Sequence, residues 1–151
     1  MSVTALTGND TIKINDRIMN DFADGNVAEL TFPNDLMNLK TGKNGNSIFA
    51  FNYSGRQCEM TLRVLRGSAD DKFLNNLLAL QKNDPAAFSL MQGEFIKQIG
   101  NGAGGLTQDI YILSAGAFKK QPDVKDNADG DTEQSVAIYT MIWANAPRTI
   151  G

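Results

Sequence analysis

The chain has 151 residues, a formal net charge of −3 and a sequence pI near 4.8, which predicts one domain and lacks the basic footprint of a protein that grips phosphate backbones. It contains no histidine and one cysteine, Cys58, which excludes Ser-His-Asp, Cys-His and HExxH chemistry and any internal disulfide. The opening MSVTALTGND has neither the basic start nor the apolar run of a signal peptide, and no stretch reaches the roughly 20 apolar residues of a membrane helix. A soluble chain that stays where it is made, away from membranes, is expected.

Taken in chain order, the pattern is dominated by period-two segments. Thr11 to Ile14 and Arg17 to Asn20 read as an opening hairpin, turned by Asn15-Asp16, two residues that tolerate positive φ. Val27 to Phe32 is a further short strand. The loop Thr41 to Asn46 (TGKNGN) precedes Ser47 to Tyr53 (SIFAFNY), which interleaves Ile48, Phe49, Phe51 and Tyr53. That is more aromatic surface than an edge strand between loops normally shows, and it reads either as core or as contact with another chain.

From Gln57 to Leu65 the alternation is clean: Cys58, Met60, Leu62 and Val64 fall on one face, Gln57, Glu59, Thr61 and Arg63 on the other. This predicts a half-buried strand. Ser68-Ala69-Asp70-Asp71 then opens a run with Phe73, Leu74, Leu77 and Leu78 at helical spacing. Ser68 is suited to cap the free N–H groups, and the two acids suit the positive end of the helix dipole. A helix over Ala69 to Lys82, stopping before Asp84-Pro85, is expected.

Strands follow at Phe88 to Ile99 and Asp109 to Phe118, separated by the loop Gly100 to Gly105. Gly100, Gly102 and Gly105 match G-x-G-x-x-G in letters, but the segment after them reads as a strand where a dinucleotide site needs a helix. The acidic loop Asp123 to Asp131 resembles a calcium loop only in its middle, because Lys125 and Val136 stand where the site needs acids. Arg56, Arg63 and Arg66 read as partners for carboxylates rather than as a phosphate track. The last strand, Gln134 to Ala144, is apolar on both faces, Val136, Ile138 and Ile142 opposite Ala137, Tyr139, Met141 and Trp143. It is expected to be covered on both sides. The fold class is therefore mainly β with one flanking α-helix, a sandwich or barrel-like arrangement, with no catalytic residue, cofactor or metal site assigned.

Several segments in succession resemble a known family. They are Asp21-Phe22-Ala23-Asp24-Gly25, Lys40-Thr41-Gly42-Lys43-Asn44-Gly45, Gly55-Arg56-Gln57, Ser68-Ala69-Asp70-Asp71 and Gly130-Asp131-Thr132-Glu133-Gln134. In this order they resemble the tail tube proteins of contractile bacteriophage tails. The resemblance implies one tail tube domain over the whole chain, homo-hexameric rings stacked into a hollow tube, sheath protein outside, and tape-measure protein and then DNA in the lumen. It implies a component of the virion, assembled in the host cytoplasm, that conducts DNA passively and is not an enzyme.

On that reading Lys40, Lys43, Asn44, Ile48, Phe49, Phe51 and Tyr53 are expected to make contacts between rings or subunits. Glu29 and Glu59, which point away from the apolar faces of their strands, are expected to face the lumen. A tube subunit of a phage-tail-like bacteriocin or secretion machine is one alternative. A small β-sandwich module that binds carbohydrate or peptide is another, although one Trp and no aromatic platform in the loops speak against it.

Overall fold

A computed structural model describes residues 2–151. Strands β1 (Ala5–Leu6), β2 (Thr11–Ile14), β3 (Arg17–Ile18) and β4 (Ala28–Thr31) open the chain, followed by the hairpin β5 (Met37–Thr41) and β6 (Ser47–Phe51). Then come β7 (Cys58–Leu65), the helix α1 (Ala69–Asn83), β8 (Met91–Gly100), β9 (Leu106–Asp123), β10 (Val136–Asn145) and β11 (Arg148–Ile150). Nine strands form one antiparallel sheet in the order β3-β2-β8-β9-β10-β7-β4, with β1 beside β8 and β11 beside β9; β5 and β6 pair only with each other.

Local chemistry explains several of these elements. Asn15 (φ 48°) and Asp16 (φ 67°) make the two-residue turn between β2 and β3, where both central residues must take positive φ. The Ser68 side chain accepts from the Asp71 N–H at 3.2 Å, and the helix stops at Asp84, whose N–H donates to the Leu80 carbonyl. On β7, Cys58, Met60, Leu62 and Val64 are all buried while Glu59, Thr61 and Arg63 alternate on the opposite face. Burial pushes the Cys58 thiol up to about 11, so it stays protonated as a small core residue.

The core lies on one face of the sheet. Direct cross-strand partners share a face, so Cys58, Met60, Leu62 and Val64 of β7 stand with Trp143, Met141, Tyr139 and Ala137 of β10. Leu74 and Leu78 of α1 cover them. The helix also mends an open strand: Gln81 exchanges two 2.9 Å hydrogen bonds with the Phe118 backbone, where β8 no longer pairs with β9.

Mainly β with one helix is the observed class, but the sheet is not a closed barrel. The chain leaves β3 at Ile18 and by Asp21 lies beside β7, where Leu65 N–H donates to the Asp21 carbonyl and Ala23 N–H to the Arg63 carbonyl. Three residues span at most about 11 Å, so the sheet curls until its edges approach. No ladder joins β3 to β4.

Two expectations are corrected. The β10 strand is covered on both faces only in its first half: Val136 and Thr140 are buried on the outer face, whereas Ile142 is 45% exposed and Ala144 is exposed further along it. The segment expected at Asp109 to Phe118 is the middle of a strand of 18 residues, and its two halves do not share a phase. Between the pairs Gly93–Leu113 and Met91–Gly116 one extra residue enters β9, and Ala115 takes φ 53° there. This bulge turns the core-facing set from Leu113 to Gly116 and Phe118.

Candidate assembly surfaces

The exposed hairpin is the most unusual feature. All ten strand residues of β5 and β6 are exposed. Met37 pairs with Phe51 and Leu39 with Phe49, which places four apolar side chains on one face; Asn38 with Ala50 and Lys40 with Ile48 form the other. The tip closes through Gly42 N–H to the Asn46 carbonyl (2.7 Å) and Gly45 N–H to the Gly42 carbonyl (3.1 Å), with Gly45 at φ 84°. Lys43 and Asn44 sit on this tip.

A lone two-stranded hairpin is marginal in water, and this one exposes 66% of Ile48, 66% of Phe49 and 74% of Tyr53. The sequence-predicted contact residues Lys40, Lys43, Asn44, Ile48, Phe49, Phe51 and Tyr53 are thus brought together, though on two faces. Met37 and Leu39 belong to the apolar face as well. The letters MNLKT carry a period-two signal with Asn38 and Lys40 as its polar half, but the run is short and follows the turn residues Pro33-Asn34-Asp35.

At the hairpin base Arg56 lies 5.3 Å from the ring centres of both Phe51 and Tyr53, which meet edge to face at 4.9 Å. Beside it is a cavity of about 320 Å³ lined by Phe32, Leu36, Arg56, Tyr111, Pro147 and Arg148. Arg148 holds Asp109 through two bonds of 2.8 and 3.0 Å. Gly55 is packed so that a Cβ would lie 2.6 Å from the Asp35 carbonyl oxygen, which fixes where the hairpin leaves the sheet.

The face of the sheet away from the helix carries Glu29 and Glu59. Glu29 stands opposite Thr61 and Thr31 opposite Glu59, so all four share that face. Their charges are not equivalent. Lys119 Nζ lies 3.2 Å from Glu59 Oε1, whereas Glu29 is exposed and has no cationic partner among the described residues. Lys119 was missed because the sequence places the end of its strand at Phe118.

The three arginines do not form a stripe. Arg63 bonds Glu133 at 2.7 Å and Asp24 at 3.4 Å, and Arg66 donates to the carbonyls of Lys125 and Gln134. Arg56 lies on the hairpin aromatics. The acidic loop is likewise partly paired, with Lys125 and Asp131 at 2.8 Å. The Gly100–Gly105 loop leads straight into β9 at Leu106, a strand, so the helix a pyrophosphate would need is not there.

A curled sheet with one helix and a projecting apolar hairpin presents exposed apolar surface of the kind that marks an interaction site rather than a catalytic pocket. A family model described as bacteriophage PhiTE tail tube protein matches residues 20–142. The chain belongs to that family, and it is a structural subunit of a phage tail tube and a component of the virion tail. No curated protein matches it.

Proposed function

We propose that six copies of the chain close into a ring, that rings stack into the tube of a contractile tail, and that the lumen conducts DNA during ejection. The β5–β6 hairpin carries this reading. Its apolar face is unprotected in a single copy, and burying each large side chain contributes about 1.5–3 kcal/mol, which favours seating it on a neighbouring copy. A tube offers a neighbour to every hairpin except those at its end.

The proposed lumen wall is the face away from α1. Glu29 and Glu59 face the channel there, with Glu59 partly neutralised by Lys119, so Glu29 supplies more of the repulsion that keeps the DNA backbone from sticking. The helix side then faces the sheath protein, and tape-measure protein fills the channel before DNA. Assembly takes place in the host cytoplasm.

Replacing both Phe49 and Phe51 by Ser is expected to leave the thermal melting of the monomer within about 2 °C of wild type, because surface sites move stability little. Tube mass in sedimentation and electron microscopy is expected to fall by about tenfold or more, at roughly 1.5–3 kcal/mol per lost anchor. Tubes of wild-type length from this variant would refute the role given to the hairpin. A Glu29→Lys/Glu59→Lys variant is expected to polymerise normally but to deliver DNA poorly in an infectivity assay. Unchanged infectivity would remove these two residues from the lumen wall.

A further inference from the structure

The chain is electrically polar along β10, and we infer that successive copies dock head to tail, with the basic hairpin end of one seated on the acidic loop of the next. This rests on the tube reading and names the two surfaces that meet. β10 has ten residues, a run of about 33 Å. At its C-terminal end, Trp143 pairs with Cys58 at the start of β7, and the cavity between Leu36, Arg56 and Arg148 marks the root of the hairpin. At its N-terminal end, Val136 pairs with Leu65, and the loop joining β9 to β10 is tied down by Arg66.

The two ends have opposite charge. From Pro33 to Gln57 there are three cations, Lys40, Lys43 and Arg56, against one acid, Asp35. From Asp123 to Glu133 there are five acids against Lys125 alone. Part of the acidic set is already used: Asp123 pairs with Lys120, Asp131 with Lys125, and Glu133 with Arg63. What remains is complementary. Among the described residues Lys40, Lys43 and Arg56 have no carboxylate partner, and Asp126 and Asp129 have no cation.

All five are exposed. The Arg56 guanidinium is held against two rings, which fixes its position before any partner arrives. The hairpin root with Arg56 and the acidic loop lie at opposite ends of one strand. Pairing between copies is heterologous and repeats without closing along that direction, the geometry of a filament. The charge also forbids the reversed contact, hairpin end on hairpin end, and so gives the stack one polarity.

The test is a charge exchange. A hairpin variant (Lys43→Glu/Arg56→Glu) and a loop variant (Asp126→Lys/Asp129→Lys) are each expected to melt like wild type and to yield about tenfold less sedimenting tube or worse, since like charges then face each other. The chain carrying all four changes, and an equimolar mixture of the two variants, are expected to recover assembly because every junction is again complementary. Folded single-set variants that assemble like wild type, or failure of both the four-change chain and the mixture to recover, would overturn the inference while leaving the tube reading intact. A wild-type chain that stays monomeric at high concentration would overturn both.

Discussion

Asp70→Ala is expected to destabilise the chain by about 3–5 kcal/mol, because it leaves two backbone N–H groups without their acceptor, at about 1–3 kcal/mol each. The Asp70 side chain is fully buried at the start of α1, yet it is satisfied on every side. It accepts from the backbone N–H groups of Asn20 (2.6 Å) and Asp21 (2.7 Å) and from Arg17 Nε (3.1 Å), and Arg17 Nη2 lies 3.0 Å away. Asp21 returns the bond by accepting from the Asp70 N–H at 3.3 Å.

Those donors sit on the short crossing that carries the chain from β3 to the far edge of the sheet. Asp70 therefore ties that crossing to the helix, and alanine would leave two N–H groups and a guanidinium without their acceptor. Arg17→Ala should cost less, because the carboxylate keeps both backbone donors and the positive helix end. For a domain of this size, thermal denaturation of Asp70→Ala should show a fall of about 6–20 °C. A fall under 2 °C would show that the crossing holds without it.

Nothing local in the sequence announces this role. Ser68-Ala69-Asp70-Asp71 is legible as a helix start, and Ser68 does cap it, but the two acids look alike. Their fates are decided by partners far along the chain. Asp71 accepts from the Tyr139 hydroxyl at 2.6 Å, and burial together with that carboxylate holds the phenol well above its usual titration range. The strand Cys58–Leu65 was legible because one face is apolar and the other is not. On β10 both faces are apolar, and period alone cannot tell a strand buried twice throughout from one whose second face is open along part of its length.

The phase of β9 was hidden for a different reason. Ala115 occupies a left-handed conformation that its letter gives no cause to expect, and everything after it faces the other way. The hairpin aromatics were legible as an anomaly, Ile48, Phe49, Phe51 and Tyr53 between loops. Their pairing with Met37 and Leu39 needed the fold. Glu29 and Glu59 lie opposite the apolar faces of their strands, as alternation predicts, while the Lys119 partner that distinguishes them depends on irregular pairing between β9 and β10.

The second large effect is expected at Gly116, which faces Trp143 directly across β9 and β10. Trp143 is 1% exposed, and a Cβ at Gly116 would fall on Cε3 and Cζ3 of its ring. Gly93 lines the same slot: a Cβ there would meet the Lys13 carbonyl oxygen at 2.7 Å and Trp143 Cη2 at 3.3 Å. The indole thus occupies the space two glycines leave free. Overpacking a core usually costs 1–3 kcal/mol, but here the obstacle is a rigid ring held between strands, so Gly116→Val should reach about 4 kcal/mol or more.

The partner's response separates this account from a general intolerance of β9 to substitution. Trp143 Nε1 is buried without a hydrogen-bond partner, so a smaller apolar residue at 143 gives up no hydrogen bond and leaves only a void, about 3–5 kcal/mol for a Trp cut to Ala. Gly116→Val/Trp143→Leu fills part of that void with the new side chain. The double variant should be more stable than the sum of the two single changes predicts, by at least about 1 kcal/mol in denaturant titration. Simple additivity would mean that Gly116 is required for another reason than the indole that lies on it.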